Sequence, residues 1–498
     1  MHHAPRTWIS SRSRLALAVT GLVCAASAQS SYADVTYTAS PFFGEGAALL
    51  GDVDGDGHAE LLGADRAQMA VFSGRTLLRI HEKIGYVQHG RAGDIDGDGT
   101  PDFFAQQVSG VAAFEIIQGG SWAVLATIAT PSTTFGLAGL GDVTGDGRDD
   151  FAVVDLGVVR VYSGATLMPV FGAPGDRAFS IGDVDGDGAA EFITQTSTRT
   201  AIYKVGNEVP LATMSPRSTV PQGSDYCAGV SDVDGDGVPD VAIGESYHGL
   251  AFRSREGMVW VASGATGAEL HSYVGTAPNQ RLGRGLSRLG DVNGDGVDEV
   301  LVGTTENRAI VMDLTTGAEL ASIDDLGHQF LTLSAGYDVT GDGVPDGVIG
   351  APQPVSGDPG FLRVFSGATL TLQADRVHMD PAAGATVNFT IDFGPSQAGA
   401  GYLMLGSLSG ISPGFSFTGV TLPLNPDFYL EFLALNPNSL ITPSVGTLDA
   451  VGRATPVLSF PPGAVPSVLA GSIFDHACAL VSGPILVDAT NPMPLVIQ

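Results

Sequence analysis

Lysine, cysteine, long apolar runs and helical periodicity are all scarce in this 498-residue chain. Only Lys83 and Lys204 are lysines among 23 basic residues, set against 53 acidic ones, and no basic run occurs. A net charge of -30 with no cationic patch excludes nucleic acid and an anionic membrane surface as partners, because both are bound by neutralising phosphates. Three cysteines are too few for a disulfide framework in a chain this long. Cys24 lies near the start, and Cys227 and Cys478 either pair or sit buried and free. Beyond residue 33 no stretch has 18 uninterrupted apolar residues, so no transmembrane segment is expected and the mature chain reads as a soluble monomer. The 68 glycines follow no triplet, which excludes collagen, and 44% hydrophobic content argues against disorder. Charged residues are only 15% of the chain, so the acids must be concentrated somewhere.

Residues 1–33 have the layout of a secretory signal peptide. Arg6, Arg12 and Arg14 precede an apolar stretch from Leu15 to Val23, and small residues follow at Ala26, Ser27 and Ala28. That stretch is too short to cross a ~30 Å hydrocarbon layer as a helix. Cleavage after Ala28 or after Ala33 fits, so the expected location is secreted or cell-surface, with a mature chain beginning near Gln29 or Asp34.

The acids are concentrated in one nonapeptide that occurs seven times, beginning at Asp52, Asp94, Asp142, Asp183, Asp232, Asp291 and Asp338, at spacings of 42, 48, 41, 49, 59 and 47 residues. Such a period is one supersecondary unit per repeat, in the range of propeller blades. An apolar, β-like run follows each copy, as in ELLGA, FAVV, VLVG and GVIG, so the loop joins two strands. Most repeats carry a second hairpin signal further on: VFSGRTL at Val71, VYSGATL at Val161, VASGATG at Val261, LTTGAEL at Leu314 and VFSGATL at Val364. Two strands around each turn give a four-stranded antiparallel unit.

Positions 1, 3, 5 and 9 of the loop carry oxygen-bearing side chains, and position 7 offers its backbone carbonyl. Glycines at 4 and 6 permit the positive φ angles that let these oxygens turn towards one point. The predicted ligand sets are Asp52, Asp54, Asp56, His58 and Glu60; Asp94, Asp96, Asp98, Thr100 and Asp102; and Asp142, Thr144, Asp146, Arg148 and Asp150. The later loops supply Asp183, Asp185, Asp187, Ala189 and Glu191; Asp232, Asp234, Asp236, Val238 and Asp240; Asp291, Asn293, Asp295, Val297 and Glu299; and Asp338, Thr340, Asp342, Val344 and Asp346. Hard oxygens without histidine or cysteine side chains select Ca²⁺, up to seven ions. Turn chemistry alone gives no reason for an acid at position 9 every time, and positions 1, 3, 5 and 9 of the loops hold 25 of the 53 acids, which would repel one another without a cation. Thr144, Thr340 and Asn293 at position 3 leave three carboxylates in the third, seventh and sixth loops. Asp149 and Asp298, beside the position 9 acids, are expected to compensate in the third and sixth, so the seventh is expected to be weakest.

Loop, following strand and a preceding Phe-Gly together resemble FG-GAP repeats, the blades of integrin α-subunit propellers and of many secreted bacterial proteins. Phe43-Gly44 and Phe135-Gly136 carry the first half of that name, and Gly350-Ala351-Pro352 the second. The resemblance implies a seven-bladed β-propeller over residues 34–374 with a calcium loop in each blade, closed by a strand donated across the seam. VTYTAS (Val35 to Ser40) or LTLQA (Leu370 to Ala374) is expected to supply that strand.

From about residue 375 the acidic loops stop, and the runs VNFTIDF, YLMLGSL, FYLEFLAL, TPVLSF and GPILVDA read as strands of a C-terminal β-sandwich over 375–498. HExxH, GxxxxGK[ST] and CxxC are all missing. The expected function is therefore an extracellular binding or adhesion module for protein or carbohydrate. A calcium-dependent polysaccharide lyase or hydrolase built on the propeller is the alternative.

Overall fold

The computed structural model describes residues 27–28, 31–35, 40, 42–107, 112–132, 136–217, 226–249, 254–305, 308–323, 332–353, 359–367, 372–374, 378–380, 382, 384–411, 413–417, 420–482, 485–490 and 492–497. The leader layout ahead of Ser27, and Phe135, lie outside these residues.

Each acidic loop joins the first two strands of a sheet, as Sequence analysis expects. The first sheet is Gly46–Gly51, Glu60–Ala64, Gln68–Phe72 and Arg79–Ile84, an antiparallel meander with its loop between the first pair. Sheets of the same order span 86–129, 136–174, 177–214, 226–274 and 285–323, the last extended by Ser27–Ala28 running parallel to Glu319–Ile323. A seventh uses Thr332–Tyr337, Asp346–Ala351 and Phe361–Phe365. First strands pack on the first strands of their neighbours all the way round, and Thr332–Tyr337 returns to pack on Gly46–Gly51, which closes a ring. Burial follows the strand order. ELLGA and DFAVVD are wholly buried between sheets, whereas the outer strands RIHEKI and VLATIA face water.

The two halves of the resemblance meet between sheets. A Cβ on Gly350 would stand 2.2 Å from the Gly44 carbonyl oxygen, so the Gly-Ala-Pro of the seventh sheet lies directly against the Phe-Gly of the first. Only glycine permits that approach of two backbones.

The closing strand is neither of the two expected. Ser31–Val35 completes the seventh sheet, antiparallel to Phe361–Phe365, with Val35 opposite Leu362. VTYTAS contributes only Val35 among the described residues, and Leu372–Ala374 pairs instead with Ala385–Asp392. Leu372 is fully buried in the C-terminal core, which draws that segment away from the ring.

The described C-terminal residues form a two-stranded hairpin, Phe415–Phe417 with Val420–Leu422, and two larger sheets. One contains Leu372–Ala374, Ala385–Asp392, Val457–Phe460 and Ile441–Thr442; the other contains His378–Met379, Met493–Ile497, Ile473–Ser482, Gly401–Ser407 and Val445–Thr447. Val387, Phe389, Met404, Leu458, Leu480 and Leu495 from both share one apolar cluster, which continues into the first and seventh sheets of the ring. One expected strand is wrong: FYLEFLAL is an α-helix, Phe428–Leu435. Asp427 caps it by accepting from the backbone N–H groups of Tyr429 and Leu430, and the buried Tyr429 and Leu433 lie four residues apart on one face. Cys227 and Cys478 are both buried and unpaired. Among the described residues no helix is long and apolar enough to cross a membrane.

Candidate metal centres

The loops curl around their first aspartate. Asp52 Oδ1 accepts from the N–H of Gly55 at 2.7 Å and of Asp56 at 3.1 Å, while Oδ2 accepts from Gly57 at 3.0 Å. Gly55 and Gly57 hold φ of 80° and 89°, as that curl requires. The same bonds recur around Asp94, Asp142, Asp232, Asp291 and Asp338. Position 7 gives its N–H to the carboxylate at position 5 in every loop: His58 to Asp56, Thr100 to Asp98, Arg148 to Asp146, Ala189 to Asp187, Val238 to Asp236, Val297 to Asp295 and Val344 to Asp342. That is why its identity varies. His58 departs from the expectation that only its backbone matters, since its buried ring places Nδ1 2.9 Å from the carbonyl oxygen of Val339 and ties the first loop to the seventh.

The position 9 acid does more than face the loop. Asp150 is fully buried; its Oδ2 accepts from Val143 and Thr144, and its Oδ1 accepts from Gly164 N at 2.8 Å. Gly164 is the glycine of the second hairpin signal, so one carboxylate joins both turns of a sheet. Glu60 with Gly74, Asp102 with Gly119, Asp240 with Gly264 and Asp346 with Gly367 repeat the link. The close contact needs glycine, because a Cβ on Gly164 would lie 2.1 Å from the carbonyl oxygen of Asp149.

The residue before that glycine, which sequence reasoning passed over as part of a hairpin, also reaches the loop. Ser163 Oγ donates to Asp146 at 3.3 Å, Ser366 Oγ to Asp342 at 3.1 Å, and Gln118 Nε2 to Asp96 at 2.7 Å and Asp98 at 3.1 Å. Strand register puts Lys204 in this place in the fourth sheet and Asp313 in the sixth. Aligning the second hairpins as well as the loops would have exposed the position.

Among the described residues, five groups bring carboxylate oxygens within 4.8 Å of one another and could hold a metal ion: Asp52, Asp54, Asp56 and Glu60; Asp94, Asp96 and Asp102; Asp183, Asp185 and Glu191; Asp232, Asp234 and Asp240; and Asp295, Glu299 and Asp313. The third and seventh loops are not among them; Thr144 and Thr340 stand where a fourth carboxylate would be, their hydroxyls buried without a hydrogen-bond partner of good geometry. Burial pushes the position 9 acids up, Glu60 and Asp346 to about 8, Glu299 to about 7 and Asp102 to about 6. Neighbouring carboxylates add to the rise, Asp54 and Asp56 beside Glu60 and Asp342 beside Asp346. A hard cation would relieve both costs, and buried unpartnered oxygens among carboxylates are the donor set it takes.

The expected compensation by Asp149 and Asp298 fails. Asp149 Oδ2 accepts from Asp94 N in the second loop at 2.9 Å, and Asp298 is held by Arg288 and by Ser231 N beside the fifth. Both carboxylates turn to the preceding loop, not into their own. In the sixth loop Asp313 supplies the extra carboxylate instead; burial works against its ionised form, but hydrogen bonds from Thr316 and Thr315 hold it below the usual range.

No curated protein matches the chain. Among solved structures it is similar to a chain of the crystal structure of BBS1N in complex with ARL6DN, soaked with lead, at 10% identity and a TM-score of 0.43, covering 66% of this chain and 93% of that one. The FG-GAP repeat family matches residues 228–262, the unit built around the fifth loop. With sheets of that order recurring around a closed ring, the fold is a β-propeller, in which residues 228–262 match an FG-GAP repeat.

Proposed function

We propose that the chain is an exported, calcium-stabilised propeller of seven blades, residues 31–367, followed by a β-sandwich over 372–497, and that it serves as an extracellular binding module for protein or carbohydrate. The observation that carries this reading is the buried acid at position 9. It fastens loop to turn in the same way in five sheets, beside carboxylates whose mutual repulsion a cation would cancel. Calcium's role in this reading is structural: it holds the loops on one rim, and the opposite connections stay free to vary for ligand. The polar groups of the loops are taken up by that task, which leaves binding as the role for the remaining surface.

Export is part of the proposal. Cleavage after Ala28 leaves the closing strand Ser31–Val35 whole, whereas cleavage after Ala33 would leave only Asp34 and Val35 in it. A glycan array run beside an activity screen on uronic-acid polymers, both with calcium present, tests the function. Retention of one glycan or protein class without turnover supports a binding module, and turnover refutes it.

A further inference from the structure

The fourth loop differs from the rest at the residue before the turn. Where the first, third, fifth and seventh sheets place Ser73, Ser163, Ser263 and Ser366, this sheet places Lys204, one of only two lysines in the chain. Its Nζ stands 2.5 Å from Asp185 Oδ2 and 2.6 Å from Asp187 Oδ2, the carboxylates at positions 3 and 5. Lys204 Nζ donates to both carboxylates, which places its charge between them.

We infer that Lys204 is the resident cation of the fourth loop, so that this loop keeps its fold without calcium while the others depend on the ion. The inference rests on the calcium reading of those other loops. An ammonium on a four-carbon stem is a compact charge with three donors, enough to bridge two carboxylates but not to fill a coordination shell of six or more oxygens. Asp183, Asp185 and Glu191 still converge within 4.8 Å, and Glu191 Oε1 is buried with no hydrogen-bond partner because Val205 stands where the turn glycine would be. Removing the ammonium should therefore open a site that this chain keeps closed.

The test uses the full chain and two variants, Lys204→Ser, the residue of four other sheets, and Lys204→Gln, which copies Gln118. Calcium stoichiometry by equilibrium dialysis should rise by one ion per chain in both variants; an unchanged stoichiometry overturns the inference. Amide exchange in EGTA supplies a readout that needs no bound metal. Gly186, Gly188 and Ala189 should stay protected in the wild type while Gly235 and Gly237 of the fifth loop do not, and the variants should lose about tenfold of that protection. Equal exchange in wild type and variants also overturns it. No calcium bound by any of the three proteins would overturn the calcium reading itself, and the exchange result would then decide the role of Lys204 alone.

Discussion

Replacing Gly164 by alanine isolates the joint between the two turns of a sheet. The backbone of Gly164 lies outside the positive-φ set, so alanine meets no local strain there. The new Cβ would lie 2.1 Å from Asp149 O, more than 1 Å inside ordinary contact, and neither the Cβ nor that backbone oxygen can rotate away without moving the main chain. The turn must back away. Doing so breaks the 2.8 Å bond from Gly164 N to the fully buried Asp150, a charge-assisted bond worth about 1.5–3 kcal/mol. Residual overpacking adds about 1–3 kcal/mol, and the stiffer unfolded chain returns about 0.4–1 kcal/mol. The expected loss is about 1.5–5.5 kcal/mol, centred on about 3.5. Gly147→Ala is the control: its φ is 87° but no atom lies within 4 Å of the added Cβ, so it carries only the left-handed backbone cost of about 1–2 kcal/mol. Urea denaturation of the full chain in saturating calcium ranks the two by midpoint, provided the slopes agree. If Gly164→Ala costs no more than Gly147→Ala, the joint contributes nothing and the glycine is there for turn geometry alone.

Calcium should raise the melting temperature strongly relative to EGTA, each site adding about 2.7 kcal/mol at free calcium one hundredfold above Kd; equal midpoints would mean the loops are plain turns. Crystals soaked in graded chelator should lose the third and seventh ions first, while Asp313 holds the sixth; Asp313→Ser should move the sixth into the same early group, and an unchanged order would refute the carboxylate count. His476 is fully buried with Nε2 3.0 Å from the Tyr429 hydroxyl, and burial pushes its pKa down to about 4. Its unfolded value lies near 6.5, so the unfolded chain binds the extra proton first and stability falls as pH drops from about 6.5 towards 4, by up to about 3 kcal/mol. Melts of His476→Gln across that range should lose that slope relative to wild type, and parallel profiles would count against it. N-terminal sequencing of protein from the native cell should begin at Gln29; a start at Asp34 would remove most of the closing strand and contradict its assignment.

What the sequence made legible was whatever repeats. Seven acidic loops at near-regular spacing, with apolar runs after them and a second turn further on, predict antiparallel meanders, and the sheets take that form because each pattern has only one compact solution. What it hid depended on contacts between repeats or across the whole chain. FYLEFLAL is eight apolar-rich residues, a length at which strand and helix look alike, and the cap at Asp427 decided it. The closing strand Ser31–Val35 was obscured because the same residues read equally well as the end of a leader, and only pairing with Phe361–Phe365 distinguishes the two.

The site was half legible for a related reason. Positions 1, 3, 5 and 9 stand out within nine residues, whereas the residue that finishes each loop comes from the far end of the same sheet, 17 residues beyond Asp146 in the case of Ser163. There the repeats diverge in charge in a way that complements the loops. Lys204 adds a positive charge to a loop with four carboxylates, and Asp313 adds a negative one to a loop that has Asn293 in place of a fourth. Neither residue stands out in its own stretch of sequence, since Lys204 sits in an ordinary polar turn and Asp313 ends an apolar strand. Their meaning lies in register: one strand pairing places each beside its loop, and a shift of one residue would turn each to the opposite face. Charge at these loops is therefore set by the strand that returns to them as much as by the motif itself, and counting acids within the motif alone misjudges the fourth and sixth.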